Sequence, residues 1–206
     1  MKAKNTIPSN LKAMFPNFRD CIETYKKCSI NTTGNKYLVQ SEISAINFDR
    51  LTKWLFKGDL PKSADTLNFE SDGRPCFIEF KDSNFVNKGD TRKALIKSAI
   101  GKMNDSDTTL RKKILNGSKE ECEQCDFFLV VSVRDMNEES IAIILAELSD
   151  FDQEDSIYEA IRKGLLVDLK EGLDTPGHFK EVDLWYAEEF DKHLDVYGIK
   201  DVDIGA

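Results

Sequence analysis

The chain has 206 residues, 32% of them charged, and its 37 acidic and 29 basic side chains leave a net charge of −8 at pH 7. That length is enough for one domain with a sizeable core, while a pI near 5.0 speaks against indiscriminate nucleic-acid binding. No apolar run approaches the roughly 18 residues of a membrane span. Residues 1–10 form a polar lead without the apolar core of a secretory signal, so the expected location is the cytoplasm, with free thiols. Residues 11–28 read as one helix or two short ones around Pro16, and Ser29–Lys36 as a loop. Together they suggest an N-terminal helical lead over residues 1–34, followed by a single domain over 35–206. Glu42–Phe56 reads as a helix with Ile43, Ile46, Leu51, Trp54 and Leu55 as its apolar stripe.

The run from Ser63 to Lys81 reads as a β-hairpin. Leu67 and Phe69 lie on its first strand, Ser71 to Pro75 form the turn, and Cys76 to Lys81 make the second strand. Alternation places Cys76, Ile78 and Phe80 on one face and Phe77, Glu79 and Lys81 on the other. An odd loop such as Ser71–Gly73 sets Asp65 directly opposite Glu79 on the same face. A two-residue Asp-Gly loop points it away. Two carboxylates a few ångströms apart are hard oxygen ligands for Mg²⁺ or Mn²⁺. Such an ion holds a phosphate and acidifies water, and a neighbouring ammonium offsets transition-state charge.

Asp65, followed by Glu79-Phe80-Lys81 on the next strand, resembles the PD-(D/E)XK nuclease superfamily over roughly residues 35–135 in order of elements. The sequence departs from that pattern at the proline, since Ala64 precedes Asp65 and Pro61 lies four residues upstream. The resemblance implies an α/β fold with a restriction-endonuclease-like mixed sheet flanked by helices. It implies a nuclease acting on DNA ahead of RNA, with Asp65, Glu79 and Lys81 catalytic and Mg²⁺ or Mn²⁺ on Asp65 and Glu79. Superfamily members often draw a further acid from a helix before the first motif strand. Glu42 and Asp49 both qualify by position, and Glu42, near the helix start, is the expected metal ligand. The helix after the E-x-K strand borders the substrate groove in the family, which makes Lys93 and Lys97 the expected phosphate contacts. A homodimer would suit cleavage of both strands.

That next helix is read directly over Asp90–Met103, with Asp90 as N-cap and Leu95, Ile96, Ala99, Ile100 and Met103 buried. Residues 104–121 are polar and read as a loop flanking a short helix. Cys125–Val133 is a continuous apolar run, as in a central strand buried on both faces. Helices are expected over 138–149 and 153–163, strands over Leu165–Leu169 and Phe179–Trp185, and a closing helix from Ala187 to Leu194. Charge divides unevenly: residues 1–79 carry +3, residues 80–119 carry +6 and residues 120–206 carry −17. The acidic third can repel substrate toward a basic groove or dock a protein partner. The latter suits the alternative, a non-catalytic interaction or immunity-type protein on a related scaffold, in which Glu79 and Lys81 are an ordinary solvated pair. Only Cys21 and Cys28 could complete a zinc site with Cys122-Glu-Gln-Cys125, their spacing is not that of a usual zinc knuckle, and buried or helix-end cysteines are expected. His178 and His193 read as loop and helix-surface residues.

Overall fold

The structure, a computed structural model, describes residues 5–6, 18–31, 36–81, 89–115, 124–132, 157–172 and 179–203. Six strands form one mixed sheet whose spatial order follows the chain: β1 (Ile22–Thr24), β2 (Ser44–Asn47), β3 (Thr66–Phe69), β4 (Pro75–Lys81), β5 (Cys125–Val131) and β6 (Phe179–Tyr186). The first four run antiparallel to their neighbours, and β4, β5 and β6 are parallel. Parallel neighbours need crossovers. Helix α2 (Gly89–Thr109) lies between β4 and β5 in the chain, and α3 (Ile157–Glu171) precedes β6. Helices α1 (Phe48–Leu55) and α4 (Phe190–Val196) are also present among the described residues.

Both faces of the sheet are buried. On one, Leu67, Phe77, Phe127, Leu129 and Leu184 pack against α1, α2 and α3 through Phe48, Leu51, Ala99, Met103, Ile161 and Leu165. On the other, Ile78, Phe80, Phe128, Val130 and Trp185 meet Tyr25, Leu38, Phe190 and Leu194. Full burial on two sides explains why β5, apart from Asp126, reads as an apolar run. The expected mixed sheet flanked by helices is therefore present.

Several expected elements are different. Glu42–Phe56 is not one helix: Ser44–Asn47 is a strand with Ala45 and Ile46 both fully buried, and only Phe48–Leu55 is helical. The Asn47 side chain accepts a hydrogen bond from Arg50 N at 2.9 Å and caps α1, which fixes its start. Trp54, expected in the stripe, is 49% exposed. Leu165–Leu169 is the last part of α3 rather than a strand. Residues 104–109 continue α2, and a π-helical turn follows at Leu110–Ile114, closed by Leu115 N on Leu110 O at 2.8 Å. Of the expected helical lead, residues 18–28 give a 3-10 turn, edge strand β1 and one helical turn at Tyr25–Cys28, and residues 7–17 lie outside the described residues. Asn5–Thr6 pairs with Val202–Asp203, and Ile30–Asn31 with Lys36–Tyr37. The helix expected over 138–149, Cys122 and His178 lie outside the described residues.

The β3–β4 turn fixes the register on which the site depends. Phe69 pairs with Pro75, and Glu70 N bonds Arg74 O at 2.9 Å, leaving Ser71, Asp72 and Gly73 as an odd loop. Gly73 sits at φ 87°, the left-handed position of such a loop. A Cβ there would meet nothing within 4 Å, so Gly73→Ala should cost only the backbone strain, about 1 kcal/mol. Chemical denaturation checks this; a loss of several kcal/mol would mean that the turn is also packed.

Candidate metal and active site

The site begins with register. Thr66 pairs with Ile78, which sets Asp65 opposite Glu79 one step outward. Glu79 lies on the face of Phe77, under α2, and is fully buried. Asp65 ends the segment entering β3, and two contacts to α2 hold that segment. Lys62 N bonds Asp105 Oδ2 at 3.0 Å, and Ala64 N bonds Ser106 Oγ at 2.8 Å. The Asp65 carbonyl receives Phe48 N at 3.0 Å, tying the same segment to the start of α1. Asp65 Oδ2 accepts from Phe80 N at 2.7 Å, across the hairpin.

Three expected residues therefore converge, together with one that was not expected. Lys81 Nζ lies 2.5 Å from Glu79 Oε1. Lys102 Nζ, from α2, lies 2.8 Å from Glu79 Oε1, 2.9 Å from Oε2 and 3.3 Å from Asp65 Oδ1. Asp49 on α1 receives the Ser63 hydroxyl and acts electrostatically on both Asp65 and Lys102. Burial, then repulsion by Glu79, pushes the Asp65 carboxyl up to about 7, against the pull of Lys102 and the Phe80 N–H. Burial pulls the Lys102 ammonium down, but Glu79 and Asp65 outweigh it and the net shift is upward.

Glu42 is placed elsewhere. Its side chain is 71% exposed and pairs with Lys26 at 3.2 Å, because the chain there leads into strand β2 instead of starting a helix. Asp49 is the acid that α1 turns toward the cluster. Lys93 and Lys97 are exposed on α2. Nine and five residues before Lys102, they are turned about 180° and 140° from it around the helix. They line a groove of about 560 Å³ with Lys62, Asn104, Asp168 and Glu171, between α2 and α3. His193 stacks on Trp185 at 4.9 Å, away from these residues' elements, and Cys125, buried at the start of β5, donates its thiol to Asp107 Oδ1 at 3.6 Å.

Lys102 had a sequence signal. It falls three residues after Ala99 and seven after Leu95, on the stripe that packs against the sheet, where a lysine needs a partner. The polar residues after it concealed the continuation of α2. Asp105 and Ser106 are polar because they bind the backbone entering β3.

The donor set fits a divalent cation. Glu79 Oε1 has ammonium groups close by but no well-directed hydrogen bond, and burial, then the Glu79 charge, raises the Asp65 carboxyl to about 7. Among the described residues no three His, Cys, Asp or Glu side chains converge as a ready-made cage. Two carboxylates with the remaining positions left to water and phosphate is the usual arrangement for Mg²⁺. Comparison with protein-family models, with curated proteins and with solved structures finds no match.

The Asp65 shift gives a pH dependence of definite sign. Between its usual value of 3.8 and about 7, the folded protein keeps a proton that the unfolded chain has lost. Metal-free stability should therefore fall by a few kcal/mol as pH rises through that window. A cation must displace the same proton, so its affinity should rise about tenfold per pH unit up to pH 7 and flatten above. Calorimetric titration with Mg²⁺ between pH 5.5 and 8.5 checks this; a flat profile would mean that Asp65 is not a ligand.

Proposed function

We propose that the chain is a metal-dependent nuclease on a restriction-endonuclease-like scaffold, cutting DNA in preference to RNA. The convergence of Asp65, Glu79 and Lys81 at adjoining positions of one hairpin carries this reading. Asp65 and Glu79 hold Mg²⁺ or Mn²⁺. When bound, that ion supplies charge neutralisation at the phosphate and a more acidic water. Lys81 keeps its ammonium, 23% exposed, beside Glu79, where it can orient the attacking water and meet negative charge on the phosphoryl oxygens. Lys93 and Lys97 contact the backbone of the nucleic acid away from the scissile bond. The test is incubation with linear and circular duplex DNA, single-stranded DNA and RNA, with Mg²⁺ or Mn²⁺. Cleavage by wild type that is lost in Asp65→Asn and Glu79→Gln supports the reading. Folded wild type that neither binds metal nor cuts any substrate overturns it.

A second reading, a non-catalytic interaction protein, draws on two observations. Lys102 already neutralises the carboxylate pair, and Glu181, Glu188, Glu189, Asp191 and Asp195 form an exposed acidic surface over β6 and α4. Under this reading, a basic protein partner or a second copy docks there. No helix among the described residues is long and apolar enough to cross a membrane.

A further inference from the structure

Lys102 is 20% exposed and its ammonium lies within 3.3 Å of both Asp65 and Glu79. It reaches them from α2, whereas Lys81 lies on β4 beside Glu79. An ammonium in that position occupies the place between two carboxylates that a divalent cation would take. Both cannot be there at once, because each needs the same oxygen lone pairs and like charges a few ångströms apart repel. Room for the exchange exists, since a side chain with four methylenes and a partly exposed end can turn its head toward water while its stem stays packed.

We propose that Lys102 is an internal counter-ion that holds the metal position in the metal-free protein and must be displaced when a divalent cation binds. This rests on the nuclease reading only in taking Asp65 and Glu79 as the ligands. Lys102 would then set metal affinity by competition, keeping the folded protein intact without metal and loading it only where free Mg²⁺ or Mn²⁺ is high enough to expel the ammonium. Lys81 does not do the same work: no contact joins it to Asp65 among the described residues, whereas Lys102 bridges the pair.

The experiment is calorimetric titration of the full chain with Mn²⁺ and with Mg²⁺ at pH 7.5, on wild type, Lys102→Met, Lys102→Arg and Lys102→Met/Glu79→Gln. Circular dichroism confirms folding of each. Lys102→Met should bind on the order of tenfold tighter than wild type or better, Lys102→Arg should stay near wild type, and the double variant should lose binding. Metal should also raise the melting temperature of Lys102→Met more than that of wild type. Equal or weaker binding by Lys102→Met overturns the proposal while leaving the metal site standing. No binding by any folded variant removes both the proposal and the nuclease reading. If Lys102→Met does not fold, the side-chain ammonium resonance of Lys102 in wild type decides. It should change with Mg²⁺ at the midpoint of the calorimetric curve, and an unchanged resonance at saturation overturns displacement.

Discussion

Glu79→Gln should abolish detectable Mg²⁺ binding and lower phosphodiester cleavage by on the order of a thousandfold or more. Glu79 is the only member of the cluster that is fully buried, and both ammonium groups converge on its Oε1. Glutamine keeps the volume but removes the charge and replaces one acceptor with a donor aimed at two cations. A second consequence separates loss of chemistry from loss of fold. Repulsion by Glu79 is, after burial, the next cause of the raised Asp65 carboxyl. Without it Asp65 should titrate lower, and the fall in metal-free stability between about pH 4 and 7 should shrink. Melting curves at pH 5 and pH 8 measure that difference. A variant that still binds Mg²⁺ with wild-type affinity would exclude Glu79 as a ligand and take the proposed nuclease mechanism with it.

Arg74→Ala should produce the largest loss of stability, about 3–5 kcal/mol near neutral pH. Arg74 lies 2.5 Å from Glu70 and 2.8 Å from Asp126, at the opposite end of β4 from Glu79. Asp126 is fully buried and Glu70 is 5% exposed. The pair shares one guanidinium, and Glu70 is pushed up to about 8 by burial, then by its hydrogen bond with Asp126. Between 4.5 and about 8 the folded protein retains the Glu70 proton that the unfolded chain loses. Stability therefore falls as pH rises through that range. Without Arg74 the two acids lose the guanidinium they share, and the loss should be greater at pH 9 than at pH 5. Adding Asp126→Asn should restore most of it, because asparagine can still accept Glu181 N at its Oδ1, as Asp126 does at 2.9 Å. Urea denaturation of the two variants at three pH values tests this. A small, pH-independent loss would show that Arg74 contributes packing rather than charge.

The two carboxylate clusters were unequally visible in sequence. Asp65, Glu79 and Lys81 lie within one hairpin, and the period of a strand with an odd turn is enough to bring them together. Gly73 and the Glu70–Arg74 closing pair supply that turn. Asp126 was hidden inside an apolar run, and its partners Glu70 and Arg74 are more than 50 residues earlier. No local pattern joins residues that meet only because β4 and β5 are parallel neighbours.

The misassigned segment Glu42–Phe56 has the same cause. Ile43 and Ile46 continue the spacing of a helix, yet Ala45 and Ile46 are buried on opposite faces of a strand between β1 and β3. Pairing with two neighbours outweighed the local spacing, and Glu42 moved from the site to the surface. By itself, the sequence determined the Ser63–Lys81 hairpin, the buried central strand and the Asp65–Glu79–Lys81 group. Each depends on a period of two or on a contact made across one turn. The tertiary structure alone decided that Lys102 bridges the carboxylates, that Asp49 rather than Glu42 faces them, and that Lys93 and Lys97 turn toward α3. Those placements depend on where α1 and α2 dock on the sheet. Docking is set by the whole buried surface, which no single segment encodes.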